Sequence, residues 1–405
     1  MSVSLRVKKI YANIAAFRGK TKSERRQIRR KIMGATNEDD FVATHHSEVE
    51  IHKLIQQYSF PPEVKSAKRL MVLLVPEHNA MSGGIYSIFS IAEQMRRLRR
   101  VHGYEVVLMT RPNGEGETYF RNTNFRNQEN IYRFSQLTQC ADVEELYIHI
   151  PEYACAHFCD DLSHPEVVYL SRRKVVVNIL NQNIQLMPKA QQLDALKVRF
   201  GNVTQSVAHH AYFSQEMADK YGIPTLLLPA YTDLSSYPGC GRSGKEKLII
   251  YSLDKADYKN QCLEKIAKDF SDYQLLEIKG ITFDRFMDLA TRCMFSITFG
   301  EGFDGYLAQP ILQGGIGFAV YNDDFFPSPH FKDYENIFGS GEEMISKICD
   351  VMRRLSVDEA AYTDLNKRFA SEYDRLYSFE DYVGRVKRLS LRDFEFFPNG
   401  GSHAG

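Results

Sequence analysis

An acid and six glycines lie close together in residues 299–323, which read FGEGFDGYLAQPILQGGIGFAVYND. Glu301 begins a Gly-Phe turn, and a short apolar run and Gly-Gly-Ile-Gly follow before the next strand-like segment. Glycines at this density indicate a backbone that another group must approach closely. The rest of the chain has to identify that group. A strand, turn, helix and strand packed together through glycine is the alternative explanation.

A second pair of glycines, Gly83 and Gly84, stands in EHNAMSGGIYSI at residues 77–88. Glycines at the start of a helix expose backbone amides, and such a helix terminus is a natural site for an anion. A tight turn that packs a strand against a helix is again the alternative. Glu77 and His78, just before this turn, are candidates for a general base.

Amide side chains cluster in NILNQN at residues 178–183, directly after a strand-like run. Amides both donate and accept hydrogen bonds, so they suit the recognition of sugar hydroxyls. Asn181 and Asn183 are the candidates here, although a loop that bonds its own backbone explains the same pattern. His149 ends the strand-like run ELYIHI, where an imidazole could bond a hydroxyl or stabilise charge.

The composition is that of an ordinary globular protein of two domains. The chain has 405 residues, more than one core comfortably holds, and its 51 Lys and Arg balance its 51 Asp and Glu. This balance gives no reason to expect a nucleic-acid partner. The seven cysteines are scattered and are expected to be reduced thiols in a cytoplasmic protein.

Residues 1–34 differ from the rest because they hold eleven Lys and Arg against Glu24 alone. Apolar residues in this segment recur at helical spacing, so it predicts a basic helix on an anionic membrane surface. A solvated arm that packs on the protein body fits equally well. No stretch of the sequence reaches the roughly 20 apolar residues of a membrane span, and no signal peptide is expected.

Strand-like and helix-like segments alternate from residue 69 onward. RLMVLLVPEH (69–78) is a continuous apolar run, which is typical of a strand buried on both faces of a parallel sheet. A Gly-led amphipathic helix (83–103) and a second strand (104–110) follow, as at the start of a doubly wound fold. Further strands are predicted at 143–150, 173–180, 206–214 and 224–231, and a helix at 215–222.

A turn-rich bridge at residues 232–247 separates this series from a second one. We therefore predict an α/β protein with two doubly wound, Rossmann-like domains and a cleft between them. The domains are a basic helical extension (1–66), an N-terminal Rossmann-like domain (67–235) and a C-terminal one that includes the last helices (236–395). Ligands bind such sheets at the carboxyl ends of their strands, so the cleft is the expected site.

On these motifs and their order, residues 69–390 resemble the glycosyltransferases of the two-domain GT-B fold. They look most like the nucleotide-sugar enzymes that build bacterial surface polysaccharides such as lipopolysaccharide and capsule. The retaining members of that family carry a Glu, seven residues and a second Glu. Glu301 matches the first acid, within Glu301-Gly302-Phe303, and Gln309 stands at the second. The resemblance implies that Glu301 faces the donor sugar and that Gln309 holds the ribose. It also implies that the glycines let the backbone come close to the nucleotide sugar, namely Gly302, Gly305, Gly314 and Gly315.

The resemblance also implies roles for other residues that match family positions. The family places an Arg and then a Lys after the first strand of its second domain, where both neutralise the donor diphosphate. Lys259 matches the Lys, the Arg is absent, and Lys255 is a possible substitute as a point charge. Solvated charges at a helix start are the alternative. Gly83 and Gly84 match a loop near donor phosphate or acceptor, and His149 matches a catalytic His near the donor sugar.

The function implied is transfer of a sugar from a nucleotide-sugar donor to a glycan or lipid-linked acceptor, on the cytoplasmic side of a membrane. The family's usual chemistry implies no metal and no other cofactor, and retention of configuration is favoured. Inversion would need a base on the acceptor side, such as Glu77, His78 or His149. A non-catalytic binding subunit of a polysaccharide assembly complex and a GT-B sugar-nucleotide epimerase remain alternatives.

Overall fold

The computed structural model describes residues 59–76, 83–111, 127 and 129–399, and it contains two parallel β-sheets. The first sheet has seven strands in the spatial order β3-β2-β1-β4-β5-β6-β7. They are β1 (Arg69–Leu74), β2 (Glu105–Thr110), β3 (Ile131–Arg133), β4 (Glu145–Pro151), β5 (Lys174–Asn181), β6 (Asn202–Val207) and β7 (Thr225–Leu227).

Apolar residues on both faces of these strands explain why the sheet lies inside the protein. Leu70 and Val72 of β1 pack into one apolar cluster, while Met71 and Leu73 pack into another on the opposite face. Alternation along a strand sends successive side chains to opposite faces, so an uninterrupted apolar run needs cover on both sides. The prediction from the run at residues 69–78 is therefore confirmed.

The second sheet has five parallel strands in the order β12-β11-β10-β8-β9. They are β8 (Glu246–Tyr251), β9 (Gln274–Glu277), β10 (Cys293–Ile297), β11 (Ile316–Val320) and β12 (Ile337–Phe338). The predicted fold class, two doubly wound α/β units, is confirmed by this pair of sheets. The predicted boundary at residues 235/236 falls in the segment between β7 and β8 and stays a prediction.

Helices fill the crossovers between the strands. Those beside the first sheet are α1 (Pro62–Lys65), α2 (Gly83–Arg97), α3 (Arg99–His102), α4 (His164–Ser171), α5 (Asp194–Phe200) and α6 (Gln215–Tyr221). Those that follow β8 are α7 (Lys259–Asp269), α8 (Phe283–Arg292), α9 (Gly305–Leu312), α10 (Gly341–Val357), α11 (Glu359–Leu376) and α12 (Phe379–Leu391).

Each sheet has a point at which the chain reverses its direction of winding. In the first sheet the chain runs outward from β1 to β3 and then from β4 to β7, so the reversal lies between β1 and β4. In the second sheet it lies between β8 and β10. Loops at such points diverge and leave a crevice at the carboxyl ends of the two strands, which is where open α/β sheets bind ligands.

The last helix, α12, crosses back to the first sheet. Tyr147 of β4 donates a hydrogen bond to the carbonyl of Leu389 (3.2 Å), and Tyr382 donates one to Ser90 of α2 (3.0 Å). Helix α12 thus packs on the first sheet although it follows the second one in the chain. The predicted bounds of the C-terminal domain, 236–395, stay a prediction. An amphipathic helix does not reveal in its sequence which apolar surface will cover it.

The predicted strand at residues 206–214 is also misplaced. The strand β6 lies earlier, and residues 210–212 form a short 3₁₀ turn after it. This shift places His209 and His210 at the carboxyl end of the sheet instead of inside a strand.

Candidate active site at the strand ends

Three carboxylates meet at the reversal point of the second sheet. The loops after β8 and β10 are tied together, because the Phe299 amide donates to Ser252 Oγ (2.9 Å). Gly300 lies so near Asp254 that a Cβ on it would be 2.7 Å from Asp254 Oδ2. Glu301 and Asp304 complete the group, since each of them is influenced electrostatically by Asp254.

Glu301 is a partly buried acid whose proton is held unusually tightly. Burial, and then the charges of Asp304 and Asp254, raise the pKa of its carboxyl to about 7. Among the residues that the structure describes, none donates a hydrogen bond to this carboxylate. A carboxyl group with a pKa near neutrality can exchange a proton or carry a charge at physiological pH, as active-site acids do.

Asp304, which the sequence reasoning missed, caps the helix that follows Glu301. Its Oδ1 accepts hydrogen bonds from the amides of Tyr306 (2.8 Å) and Leu307 (3.1 Å), and its Oδ2 accepts one from Thr298 Oγ1. Burial raises its pKa to about 6 despite these bonds. Asp directly before a helix is a readable N-cap signal. The amide groups that begin α9 are therefore already bonded to a carboxylate.

Gln309, expected to hold a ribose, lies one turn into α9 and is buried. Its side chain folds back over Gly305, where a Cβ would come within 2.4 Å of Gln309 Oε1. That oxygen has no hydrogen-bond partner among the described residues. Gln309 thus lies beside the Glu301 loop, with an acceptor that is unsatisfied in the structure.

Lys259, expected to contact phosphate, is engaged with the protein itself. Its Nζ donates to the carbonyls of Ser252 (2.8 Å) and Asp254 (3.0 Å) and pairs with Glu277 at 3.3 Å. Only 12% of its side chain is exposed. Lys255, in the same loop, is exposed to solvent. Both lysines therefore lie at the β8 end of the crevice, but Lys259 also holds the loop in place.

The glycines near Glu301 are explained mainly by contacts within the protein. Gly302 has a φ of +87°, and a Cβ there would lie 2.6 Å from the Val320 carbonyl. Gly314 has a φ of +90° and would place a Cβ 2.1 Å from the Cys240 carbonyl. The expectation that a ligand accounts for the glycines is corrected at these positions, since the backbone itself makes the close approach.

Phe303, predicted among the donor-binding residues, belongs to an aromatic cluster. Its ring packs against Phe326 and Phe331, both at 5.1 Å between centroids, and lies parallel to Tyr373 at 6.0 Å. These contacts fix the turn that carries Glu301 against α11. Phe303 thus supports the site by fixing the backbone of the turn that carries Glu301.

On the first sheet, Glu152 lies at the reversal point, just after β4. It is buried, and its carboxylate accepts hydrogen bonds from the amides of Gln182 (3.3 Å) and Asn183 (3.0 Å). Burial raises its pKa to about 7, even though these bonds act in the opposite direction. Glu152 ties the end of β4 to the end of β5, and sequence reasoning did not single it out. Its position three residues beyond His149, directly after the strand ends, was the available signal.

His149, predicted as catalytic, lies inside the sheet instead of at its end. Its residue is 0% exposed, and it pairs in register with Leu73 and Asn178 on the neighbouring strands. Burial lowers the pKa of its ring to about 3, so the ring is neutral. The catalytic prediction is corrected, because β4 continues two residues beyond His149 and α12 covers this face.

The predicted amides Asn181 and Asn183 are used by the fold. Asn181 is fully buried and donates to Gln205 Oε1 (3.1 Å), which continues a network to Thr225. Asn183 accepts a hydrogen bond from the Gln185 amide (2.9 Å) and so begins a 3₁₀ turn. The explanation that this loop bonds itself is therefore right for both residues. The side-chain amide between them, that of Gln182, differs because neither its Oε1 nor its Nε2 has a hydrogen-bond partner among the described residues.

Gly83 and Gly84 begin α2, as the sequence predicted, and no atom lies within 4 Å of a Cβ added to Gly83. Their role toward an anion stays a prediction. Glu77 and His78 lie outside the described residues. The segment 1–34, expected on a membrane, also lies outside them.

The two sheets face each other through aromatic contacts near these strand ends. Tyr86 of α2 stacks on Phe283 of α8 with 4.6 Å between ring centroids. His209, after β6, meets the edge of Phe325, which follows β11, at 5.2 Å. The two sheets thus contact each other through α2 and α8 and through the loops that carry His209 and Phe325. A surface groove of about 430 Å³ lies elsewhere, along residues 330–334 and 367–372.

Within the described residues, no group of three or more His, Cys, Asp or Glu side chains is arranged to hold a metal ion. No helix in that part of the chain is long and apolar enough to cross a membrane.

Comparison with known proteins gives structural matches only, since no family model and no curated sequence matches the chain. Sucrose-phosphate synthase from Thermosynechococcus elongatus is similar over 80% of this chain and 98% of its own, with 10% identity and a TM-score of 0.50. A variant of Thermobaculum terrenum O-GlcNAc transferase matches over 96% and 83%, with 12% identity and a TM-score of 0.47. UDP-GlcNAc 2-epimerase from Neisseria meningitidis matches over 80% and 98%, with 8% identity and a TM-score of 0.47.

The match to sucrose-phosphate synthase, together with the two parallel sheets, shows the fold. The chain has the two-unit architecture of GT-B glycosyltransferases, and the fold expected from the sequence is confirmed. At this level of identity the likeness concerns the fold, and activity has to be argued from the site.

Proposed function

We propose that this protein is a glycosyltransferase that moves a sugar from a nucleotide-sugar donor to a glycan or lipid-linked acceptor in cell-surface polysaccharide synthesis. The observation that carries the proposal is Glu301, a partly buried acid with a pKa of about 7 at the reversal point of the second sheet. This is the place where open α/β sheets bind their ligands.

Glycosyl transfer suits a carboxylate at this position. As the bond between the sugar and the diphosphate breaks, positive charge develops on the sugar ring and negative charge on the leaving group. In its ionised form, Glu301 would stabilise the ring. Gln309, with an unsatisfied Oε1, would accept a hydrogen bond from a ribose hydroxyl.

The leaving diphosphate needs positive charge, which the β8 loop supplies. Lys255 is exposed and able to reach a ligand in the crevice. Lys259 would have to exchange one of its bonds to Ser252, Asp254 or Glu277 for a phosphate oxygen. We propose retention of configuration with no metal ion, in which protein cations and amides stabilise the leaving group.

A second candidate is a non-catalytic subunit that binds a nucleotide or glycan. It is favoured by the hydrogen bonds that already occupy Lys259 and by Asp304, which fills the amide groups at the start of α9. Both features reduce the positive potential available to a diphosphate.

Either candidate is compatible with attachment of residues 1–34 to a membrane surface. Binding of the chain to phosphatidylserine vesicles, before and after deletion of that segment, tests this attachment.

Release of nucleoside diphosphate distinguishes the candidates. The native chain is incubated with a panel of nucleotide sugars, with and without simple methyl glycosides. A transferase releases diphosphate faster when a glycoside is present and forms a disaccharide. An epimerase alters the donor sugar without a glycoside, and a binding subunit gives no product in either case. Absence of a glycoside-dependent product overturns the transferase proposal.

A further inference from the structure

The amide of Gln182 stands out among the polar groups of the crevice. It follows β5 directly, at the carboxyl end of the first sheet, and is 8% exposed. Both its Oε1 and its Nε2 are buried and lack a hydrogen-bond partner among the described residues. Most buried side-chain amides have at least one hydrogen-bond partner, so an amide with both ends unpaired marks a place where a partner is missing.

The backbone of Gln182 is held rigidly while its side chain remains unpaired. Its amide N–H is bonded to Glu152 Oε2 at 3.3 Å, and this bond joins it to the end of β4. The ring of His209 interacts with the backbone of Gln182 and also with the backbone of Phe325 from the second sheet. Gln182 therefore lies where the strand-end loops of the two sheets approach each other.

Two exposed apolar side chains lie in the chain segments that adjoin Gln182. Tyr153, next to Glu152, is 48% exposed, and Leu186, in the turn after Asn183, is 52% exposed. A sugar ring carries hydroxyl groups around its rim and apolar C–H groups on its faces. An amide beside exposed apolar side chains offers one partner to each kind of group.

We infer that Gln182 is a specificity-determining residue that binds a hydroxyl group of the acceptor glycan, with Tyr153 and Leu186 against the face of the sugar ring. This inference rests on the proposed function and adds the residue that recognises the acceptor. It also replaces Asn181 and Asn183, whose side chains the fold already uses, as the amide that contacts the ligand.

The test is binding of methyl glycosides to the native chain and to Gln182→Leu. Methyl glucoside, mannoside, galactoside and N-acetylglucosaminide are titrated by NMR in the presence of saturating UDP or of whichever nucleoside diphosphate binds. Native protein binds at least one glycoside, and Gln182→Leu binds it about tenfold more weakly, as loss of a hydrogen bond predicts. The matched control is Gln185→Leu, which changes an exposed amide of the same loop and keeps native affinity.

Thermal unfolding separates recognition from a structural role. Because the side-chain amide of Gln182 has no hydrogen-bond partner among the described residues, Gln182→Leu should keep or raise the melting temperature. Equal glycoside affinity in native protein and Gln182→Leu overturns the inference, and so does loss of binding accompanied by a lowered melting temperature. Absence of glycoside binding by the native chain also overturns it.

A second variant covers the possibility that position 182 tolerates no apolar residue. Tyr153→Ala alters an exposed side chain, so it should fold, and it should also weaken glycoside binding severalfold. Unchanged affinity contradicts the inference. Nucleotide binding is recorded in the same samples: if nucleotides bind and glycosides do not depend on Gln182, this inference fails while the proposed function stands. If glycosides depend on Gln182 and no nucleotide binds, the proposed function fails and the glycan site remains.

Discussion

Glu301 and Asp304, which are three residues apart in the same loop, have different roles. Asp304 accepts three hydrogen bonds and fixes the start of α9, whereas no described residue donates one to the Glu301 carboxylate. Burial raises the pKa of both groups. The charge of Asp304 adds to the shift of Glu301, and the charge of Asp254 adds to the shifts of both. The three hydrogen bonds of Asp304 identify it as a structural acid, whereas Glu301, which receives none from the described residues, is the candidate for catalysis.

The first prediction concerns the charge of Glu301. Glu301→Gln keeps the size of the side chain but cannot carry a negative charge, so stabilisation of the sugar cation is lost. We expect kcat for transfer to fall about 100-fold or more, while thermal unfolding and circular dichroism remain native. Asp257→Asn, which changes an exposed acid in the β8–α7 loop, is the control and should keep kcat within about twofold.

Near-native turnover by Glu301→Gln would remove this residue from the mechanism. A comparable loss in Asp257→Asn would instead point to a general effect of charge in the loop.

The second prediction is a dependence of activity on pH. If the ionised Glu301 is the active form, kcat/KM rises with pH and levels off above about 7, the pKa of the folded protein. Glu301→Gln should show no such rise in its residual activity. A profile of the native enzyme that is flat between pH 5.5 and 8 contradicts the assignment.

The same pKa has a consequence for stability, with a definite sign. In the folded chain Glu301 keeps its proton up to pH about 7, whereas its ordinary value is 4.5. The folded state therefore binds more protons than the unfolded state between these values, so this residue makes stability fall as pH rises through that window. Urea unfolding of the native chain should show a steeper fall over this range than Glu301→Gln.

At the scale of elements, glycines and lysines in the loops decide how the strand ends are held. Gly302 and Gly314 both have positive φ angles and touch backbone carbonyls. Lys259 fastens the β8 loop through two carbonyls and Glu277. Gly302 and Lys259 therefore hold the loops of the site, whereas Gly314, just before β11, holds the opposite end of the sheet.

The third prediction compares two glycines. Gly314→Ala should lower the free energy of unfolding by about 2 kcal/mol or more, because of its positive φ and the carbonyl 2.1 Å from a Cβ. Gly384→Ala, in the exposed middle of α12 with no atom within 4 Å of its Cβ, should raise it by about 0.5–1 kcal/mol. Urea unfolding measures both, and equal effects of the two changes contradict the packing described for Gly314.

The fourth prediction concerns the two lysines. Lys255→Ala should weaken nucleoside diphosphate binding about tenfold in calorimetry and leave the melting temperature unchanged, because this side chain is exposed. Lys259→Ala should weaken binding and also lower the free energy of unfolding by about 1–2 kcal/mol, because the loop loses two hydrogen bonds to its carbonyls and the ion pair with Glu277. Unchanged affinity in both variants would count against phosphate binding in this loop.

Elements with long apolar runs could be read from the sequence, and short or context-dependent ones could not. The run around β1 and the Gly-led helix α2 were predicted within a few residues. The strands β3 and β12, with three and two residues, carry too little periodicity to be recognised. The pairing of α12 with the first sheet depends on apolar surface that comes from distant parts of the chain.

The candidate site was predictable at Glu301 and less so at Asp304, Glu152 and the amides. Glu301 follows a buried run and begins a Gly-Phe turn, so its place at a strand end could be inferred. The sequence predicted His149 at the end of a strand, but β4 continues for two more residues, and His149 is therefore buried inside the sheet. Asn181 and Gln182 are neighbours and both are buried. Asn181 donates a hydrogen bond to Gln205, whereas neither end of the Gln182 amide is paired among the described residues, and the sequence does not show this difference.

At the scale of the whole molecule, the chain passes between the two units twice. The first passage is the segment between β7 and β8, and the second lies between α11 and α12, where Tyr231 stacks on Tyr382 at 4.9 Å. The carboxyl ends of both sheets thereby face one crevice. The GT-B fold places donor and acceptor on opposite sides of such a crevice in the function proposed here, with Glu301 on one side and Gln182 on the other.

The measurement that tests this function most directly is a thermal-shift panel of UDP, GDP, dTDP, CMP and ADP with their common sugar conjugates. A nucleotide at a hundred times its dissociation constant adds about 2.7 kcal/mol to the stability of the folded state, which is a clear shift. We predict that one nucleotide raises the melting temperature of the native chain and that Lys255→Ala lessens the shift. No shift with any member of the panel would contradict a nucleotide-sugar site in this protein.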